Sequence, residues 1–423
     1  MAELQGMERR AFLTYGVAGL ALVAAGSARA EMAGVAAEQG LSPLPGRPAG
    51  IAGLEYLARI AKAQALMRQQ GLAALIVEPG SSLVYFTGVH WRRSERLTCA
   101  IIPAQGGIAL VTPFFEEPSV RETLAVPADV RTWLEDENPL AKVAGFLAER
   151  GLASAAIGTE ETNRYFIIDG LQKALPTVTV KNGAGVVRGC RMIKSASEIA
   201  LMQYATDITI AAYRHTIARI REGMRHVDVQ AIMKDATERL GGRSEFEDAL
   251  IGESAAYPHG SDKPQIVKAG EIILMDCGCT VDGYQSDVSR TFVFGTPTAR
   301  QRKVWNDVKG GQQVAFRAAR VGVTAGSVDD AVRAYYEKLG YGPGYRLPGL
   351  SHRTGHGIGL DGHEPINLVR GEGGVLQPGM CFSNEPGLYI PGEFGVRMED
   401  CFYMTETGPR WFSTPSVSIE QPV

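Results

Sequence analysis

Apolar positions follow two rhythms along this chain. Over residues 55–71 they recur at Tyr56, Leu57, Ile60, Ala63, Leu66 and Met67, the spacing of an amphipathic helix. A short apolar run at 73–77 predicts a buried strand, and 82–88 follows a Pro79-Gly80 turn. Residues 97–103 and 108–113 predict a hairpin across Gln105-Gly106-Gly107. Helices at 139–150 and 165–175 alternate with strands at 155–158 and 178–180. Such alternation predicts an α/β domain, here over about 50–185.

A different organisation follows. Ser195 and Glu198 form a capping box, in which each side chain serves the other's backbone N–H. It opens a long helix with apolar positions at Ile199, Met202, Ala205, Ile208, Ala212 and Ile217, and the domain boundary falls just before it. Arg221-Glu222-Gly223-Met224 then precedes a helix over 228–240. Near residue 320 the pattern recurs, with Arg320-Val321-Gly322-Val323 before a helix over 327–339. The recurrence predicts a duplicated α/β half, its sheet covered by helices on one side.

Between the two copies lies 272–294, two apolar, β-branched runs around Asp282-Gly283. That dipeptide between strand-like runs is a strong hairpin signal. With it as the turn, Val281 faces Tyr284, Gly278 faces Asp287 and Asp276 faces Ser289. Side chains alternate faces with period two, so Asp276 and Asp287 share one face. Two carboxylates on an apolar hairpin repel each other and resist desolvation, unless a cation sits between them.

Composition narrows the class. Apolar residues at 45% and charged residues at 21% describe a globular protein, and 423 residues suffice for two or three domains. A net charge of -3 without a basic run gives no reason to expect nucleic acid. Residues 1–30 read as a twin-arginine export signal: Arg9-Arg10, an apolar run over 17–25, then Ala28-Arg29-Ala30 for cleavage. The apolar run is too short for a membrane span, an uncleaved anchor being the alternative. The mature protein would be periplasmic or secreted, with a flexible Gly/Ala/Pro-rich arm over 31–50. Cys277, Cys279, Cys381 and Cys401 sit in apolar runs and read as buried thiols.

Three histidines, His352, His356 and His363, crowd a glycine-rich stretch, and His259 lies just upstream of the hairpin. His90, beside Trp91, Arg92 and Arg93, reads as a surface loop or interface. Gly357, Gly359 and Gly362 fit the spacing of a dinucleotide fingerprint, but no clear strand precedes them, no helix follows and Pro365 is close. Glu385 ends an apolar run, and Glu399 falls within another, where a carboxylate needs a partner; Arg397 shares its face. Four carboxylates and one imidazole describe a site for two divalent cations, suited to manganese, cobalt, iron or zinc.

Asp276 and Asp287 of the hairpin, with His356 in TGHGIGLDGHE, Glu385 in PGMCFSNEPG and Glu399 in FGVRMED, resemble the pita-bread metallopeptidases. The nearest branch is Xaa-Pro dipeptidase (prolidase) and aminopeptidase P, with creatinase a non-metal cousin. The resemblance extends to a creatinase-like N-terminal domain through Leu83-Val84-Tyr85-Phe86-Thr87-Gly88. It implies an α/β (α+β) chain with a creatinase-like domain over 51–190 and a pita-bread catalytic domain of pseudo-twofold halves over 191–423. It implies a hydrolase of Xaa-Pro bonds in short proline-containing peptides, using two divalent metals, manganese foremost, and a homodimer. The five residues would be the ligands, with Glu385 also the general acid/base, His363 at the oxyanion and His259 near the scissile amide. On the substrate side, His352 would line the pocket after the cut, and Arg397 would orient the carboxylates. Two departures stand out. Val281 replaces a frequent Tyr, and Asn367 stands where prolidases often carry an Arg for the dipeptide's carboxylate, leaving Arg370 as a substitute and longer peptides as an alternative. Another reaction on the same scaffold, a lyase or a creatinase-like C–N hydrolase, is a competing expectation, as is a non-catalytic binding protein.

Overall fold

The computed structural model describes residues 40–261 and 263–423. The signal expected at 1–30 and positions 31–39 of the arm lie outside the described residues. Residues 40–50 run extended against the C-terminal part of the chain. Leu44 N–H donates to Leu240 O at 3.0 Å, the Tyr204 hydroxyl donates to Leu44 O, and Arg47 pairs with Asp282 at 2.7 Å.

The N-terminal unit is a six-stranded mixed sheet built from β1 (Ala74–Val77), β2 (Cys99–Pro103), β3 (Ile108–Pro113), β4 (Ala128–Trp133), β5 (Ala156–Thr159) and β6 (Thr179–Asn182). Their order is β4-β3-β2-β1-β5-β6. The expected β2–β3 hairpin is present, antiparallel. The segment after the Pro79-Gly80 turn is a short helix, Ser81–Thr87. The apolar rhythm does not announce β4, because an edge strand can carry charges such as Asp129 and Arg131 without burying them.

The duplication read near residues 223 and 322 has a structural basis. Long helices Ala196–Ile217 and Ala299–Ala318 are each followed by a second helix, His226–Arg239 and Ala325–Lys338. Between them Gly223 and Gly322 adopt φ of 85° and 89°, a left-handed conformation that favours glycine. Each donates its N–H across the fold, to Val267 O and Leu376 O respectively, both at 2.9 Å. Single β-bridges join Arg225 to Ile266 and Thr324 to Val375. Ile266 and Val375 each precede the next strand by the same offset, β8 (Ile272–Val281) or, in the second half, a strand beginning at Cys381. Asp276 and Glu385 then lie equally far beyond those bridges, so the two halves deliver equivalent carboxylates.

In the first half β8 is central, flanked by β7 (Arg243–Ile251) and by β10 (Val288–Val293), with β9 (Tyr284–Gln285) closing the hairpin tip. Val281 pairs with Tyr284 and Asp276 with Ser289, the register the Asp282-Gly283 turn dictates. Both turn residues have positive φ, 49° and 84°, as a type I′ turn requires. The ladder breaks at Ser286 and Asp287, where Ser286 N–H bonds to Cys279 O at 2.9 Å. The second half has β11 (Gly355–Gly357), β12 (Glu364–Leu368), β13 (Cys381–Asn384), β14 (Gly387–Ile390), β15 (Phe394–Arg397), β16 (Asp400–Thr405) and β17 (Gly408–Trp411). Five of these form a sheet in the order β12-β11-β13-β16-β17, and β14 pairs with β15.

One apolar core continues from the N-terminal sheet through helix Ala196–Ile217 to β8, so the two units share buried surface. Polar links reinforce the seam. Arg59 bonds the Tyr284 hydroxyl at 2.9 Å, and Arg191 reaches Glu364 at 2.5 Å and Asp361 at 2.7 Å. All six cysteines are buried and free.

Gly278 is where hairpin packing leaves least room. A Cβ there would lie 2.4 Å from Ser286 O and 2.5 Å from the Phe246 ring. Gly278→Ala should therefore destabilise the fold by about 1–3 kcal/mol through overpacking. A lowered Tm in calorimetry of chelator-treated protein is the expected result.

Candidate metal centre

The hairpin β8–β10, the glycine-rich turn after β11 and the two strand ends at Glu385 and Glu399 converge on one cleft of about 330 Å³. Asp276, Asp287, His356, Glu385 and Glu399 all line it, with His259, His363 and Arg397. Five residues spread over more than a hundred positions thus share one wall-to-wall site. The tightest group is Asp287, His356 and Glu399, whose ligand-type atoms lie within 4.8 Å of one another. Glu385 Oε1 is 3.3 Å from His356 Nε2, and Asp287 Oδ2 is 3.6 Å from it.

The protonation of His356 follows from its partners. Its Nδ1 is 3.0 Å from Gly357 O, which can only accept, so Nδ1 carries the proton. Nε2 then presents a lone pair toward two carboxylate oxygens. Burial, with the neighbouring His363, holds the imidazole neutral down to about 3. A neutral imidazole facing carboxylates with its lone pair makes no hydrogen bond and suits a cation. Asp287 Oδ1 and Glu399 Oε1 are also buried without any hydrogen-bond partner. Desolvation first, then mutual repulsion with Asp276 and Glu385, raises the proton affinity of Asp287 and Glu399. Desolvation pushes Glu385 up to about 7. Buried, unpartnered donors of this kind fit a divalent ion, and oxygen-rich ligation with a single imidazole is the set that hard or borderline metals take.

Asp276 is held differently. Arg397 Nη2 donates to its Oδ2 at 2.5 Å, and Ser289 Oγ lies 2.8 Å from its Oδ1. The same Ser289 hydroxyl is 2.8 Å from Glu399 Oε2, and Arg397 Nε donates to Ser289 Oγ at 2.9 Å. Arg397 also bonds Pro258 O at 3.0 Å and the Tyr389 hydroxyl at 3.3 Å. Its pairing is with Asp276 rather than with Glu399 on its own face. Glu399 lies between β15 and β16, at the step from one sheet to the other, rather than in mid-strand. Its N–H donates to Ser289 O at 3.2 Å. Buried Arg290 supports that step, donating to Glu399 O at 2.8 Å and pairing with Asp400 at 2.7 Å.

The remaining histidines divide by exposure. His363 is exposed at the cleft and meets the edge of His356, ring centroids 4.2 Å apart. His259 is exposed on the cleft wall. His352 stands beside Glu385. Its Nδ1 is 2.7 Å from Arg353 O and its Nε2 is 2.8 Å from the Tyr389 hydroxyl, with Glu385 Oε2 3.9 Å from Nδ1. Burial keeps it neutral to about 3. Arg370, the expected substitute for the missing Arg at 367, is half exposed and tied to Asp330 at 2.8 Å. Ser289, Tyr389 and Arg290 were not singled out from sequence. The hairpin register already placed Ser289 opposite Asp276, whereas Tyr389 carries no local signal.

Metal uptake at such a site displaces protons from carboxylates whose affinity for them is raised. Apparent Mn²⁺ affinity should therefore tighten as pH rises toward 7, with protons released, as calorimetry in buffers of different ionisation enthalpy would detect. His356, already neutral above about 3, adds nothing to that slope. Ser289→Ala removes the hydroxyl shared by Asp276 and Glu399, and should weaken metal affinity by about 10–100-fold in the same titration.

Comparison with known proteins agrees with this geometry. The profile of metallopeptidase family M24 matches residues 200–406, and that of the creatinase/prolidase N-terminal domain matches 59–193. The probable dipeptidase PepE of Mycobacterium tuberculosis (strain ATCC 25618 / H37Rv) is 33% identical over 362 residues, 84% of this chain and 93% of the relative. An Xaa-Pro dipeptidase of Lactobacillus helveticus is 31% identical over 78% of this chain and 90% of its own. Among solved structures, dipeptidase PepE from Mycobacterium ulcerans superposes with a TM-score of 0.79 at 32% identity, covering 86% of this chain and 97% of that one. Prolidase from Thermococcus sibiricus gives 0.78 at 28% identity, over 85% and 97%. The fold is thus the pita-bread arrangement behind a creatinase-like domain, and the chain belongs to metallopeptidase family M24.

Proposed function

We propose that this chain is a dinuclear metal-dependent hydrolase cleaving Xaa-Pro bonds in dipeptides or short peptides. The convergence of four carboxylates and the His356 lone pair on one cleft carries the reading. The Lactobacillus helveticus relative, an Xaa-Pro dipeptidase, supports the substrate class. Asp276, Asp287, His356, Glu385 and Glu399 would hold the ions, manganese first among manganese, cobalt, zinc and iron. Two divalent ions bound there would supply an activated water and polarise the scissile carbonyl.

The chain's own groups do the rest. Glu385 has a raised proton affinity and borders the cleft, so it suits a proton carrier between water and the leaving proline nitrogen. His363, exposed beside His356, is set to donate to the carbonyl oxygen as charge develops there. His259 on the cleft wall would bind near the scissile amide. Arg397 and Ser289 fix Asp276, while Tyr389 fixes His352 beside Glu385. The twin-arginine pattern supports export of the folded enzyme to the periplasm or beyond, acting as a homodimer.

Elemental analysis should find divalent metal in the purified protein, and Mn²⁺-supplemented enzyme should release proline from Ala-Pro and Gly-Pro. Absence of both metal and cleavage would sink the proposal. Asp276→Ala or Glu399→Ala should lose metal and activity together. His363→Ala should keep its metal and lose about 10²–10³ in kcat, since its bond forms mainly in the transition state. Loss of metal from His363→Ala but not from Asp276→Ala would overturn the role assignment.

A further inference from the structure

The His363 imidazole makes no hydrogen bond among the described residues, and its ring contact is the edge of His356. Gly362 beside it is open, since a Cβ there would meet nothing within 4 Å. Both line the cleft. Where His363 stands is therefore set by the backbone on either side of the pair, at Asp361 and at Glu364.

Both of those carboxylates are held from the N-terminal unit. Arg191 ends that unit's helix Ala184–Arg191, and its Nη2 donates to Asp361 Oδ2 at 2.7 Å and to Glu364 Oε1 at 2.5 Å. A single nitrogen thus bridges the two ends of the Gly362-His363 segment. Arg191 Nη1 donates to Ser82 Oγ at 3.1 Å, and the Ser81 hydroxyl donates to Asp361, so helix Ser81–Thr87 braces the same bridge. Glu364 is buried, and Lys194 Nζ donates to its other oxygen at 2.7 Å. Glu364 Oε1 also accepts from the N–H of Leu360 at 3.0 Å and of Asp361 at 3.3 Å, which folds the loop back on itself. Gly359 is pressed against this cluster: a Cβ there would lie 2.7 Å from Lys194 Cε and 2.8 Å from Glu364 Oε1.

We infer that Arg191 is a positioning residue for the cleavage reaction: by bridging Asp361 and Glu364 it fixes the backbone that carries His363 beside His356, and so ties the N-terminal unit to turnover. The inference rests on the reading above of His363 as the donor to the developing oxyanion. Asp361 and Glu364 carry like charge on either side of a two-residue segment. Without the guanidinium they repel each other, and the segment between them opens. Charge-assisted bonds to carboxylates are the strong class, and a nitrogen shared by two of them fixes their separation. Adhesion between the units needs no such bridge, because the shared apolar core already supplies it. A misplacement of about 1 Å in a group that acts on the transition state costs up to about 10²-fold in rate.

The test measures kcat, KM and metal content with Ala-Pro on the metal-reconstituted full chain. Arg191→Met should lower kcat by about 10–100-fold while KM and bound Mn²⁺ stay near wild type, because the bond from His363 forms mainly in the transition state. Arg191→Lys keeps a cation between the two carboxylates and should recover part of the loss. The deciding measurement is a double-mutant cycle. In the His363→Ala background, Arg191→Met should cost no further kcat, because the group it positions is gone. A loss that multiplies with that of His363→Ala, or one carried by KM or metal content, would overturn the positioning role and leave the Xaa-Pro reading intact. A His363→Ala enzyme with wild-type kcat would remove the oxyanion assignment and the inference with it. Absence of Ala-Pro cleavage by the wild type would sink both readings together. Should Arg191→Met fail to fold in a thermal-unfolding check, Asp361→Asn carries the cycle, since Asp361 is half exposed and the buried Glu364–Lys194 pair stays in place. It should lower kcat in the wild type and not in His363→Ala; a loss in both counts against the bridge.

Discussion

Repulsion among charges withheld from water is the constraint around which this molecule is built. Among the described residues, Asp287 and Glu399 each bury an oxygen without a hydrogen-bond partner, and His356 turns its free nitrogen toward Asp287 and Glu385. Left alone, such a group would be among the most costly features a core can contain, because each ion is stripped of solvent and meets others of its own sign. The surroundings do not relieve it by pairing every acid. Among the described residues that line the cleft, the one full cation is Arg397, and it is spent on Asp276 together with the Ser289 hydroxyl, which keeps the other acids open. The unsatisfied set is thus confined to the cleft, and supporting groups such as Arg290 and Asp400 stand one layer behind, where they brace backbone.

The duplicated halves explain how a sequence can bring so many acids together without a local cluster. Each half repeats a helix pair, a left-handed glycine and a β-bridge at the same offset from its next strand. Asp276 and Glu385 occupy matched positions in the two repeats. The first half adds Asp287 across its hairpin, and the second adds Glu399 where the chain steps between sheets. Among the described residues the N-terminal unit lines no part of the cleft, but it shares a core with helix Ala196–Ile217 and grips the glycine-rich stretch through Arg191 and Glu364. Its charge pairs there overcome the burial of Glu364, whose proton affinity falls to about 2.

What could be read from sequence follows the range of the interactions involved. The hairpin register came from one dipeptide, because a two-residue turn fixes every pair above it. The Gly223 and Gly322 repeats were legible because a positive φ demands glycine in each copy. The four acids and the imidazole were legible, Asp276 and Asp287 through the hairpin and the other three through the long motifs that carry them. The supports were not, because their partners are distant in the chain. Tyr389 meets His352 and Arg397 only after β14 and β15 fold back, and Arg333 finds the carbonyls of Leu350 and His352 from a separate helix. Edge strand β4 was invisible for another reason, since its charged residues follow no apolar rhythm. Arg353 and Asn367 are neighbours only by virtue of strand pairing between β11 and β12.

The Ile266 and Val375 bridges belong to different repeats, and so do the acids of the cleft, Asp276 and Asp287 in the first and Glu385 and Glu399 in the second, with neither repeat owning the whole set. A chain in which only one repeat has condensed would present a pair of carboxylates, joined in the second repeat by the His356 imidazole, and never the full set. For a metal held by this shared set, tight retention would be a report on the joining of the two repeats.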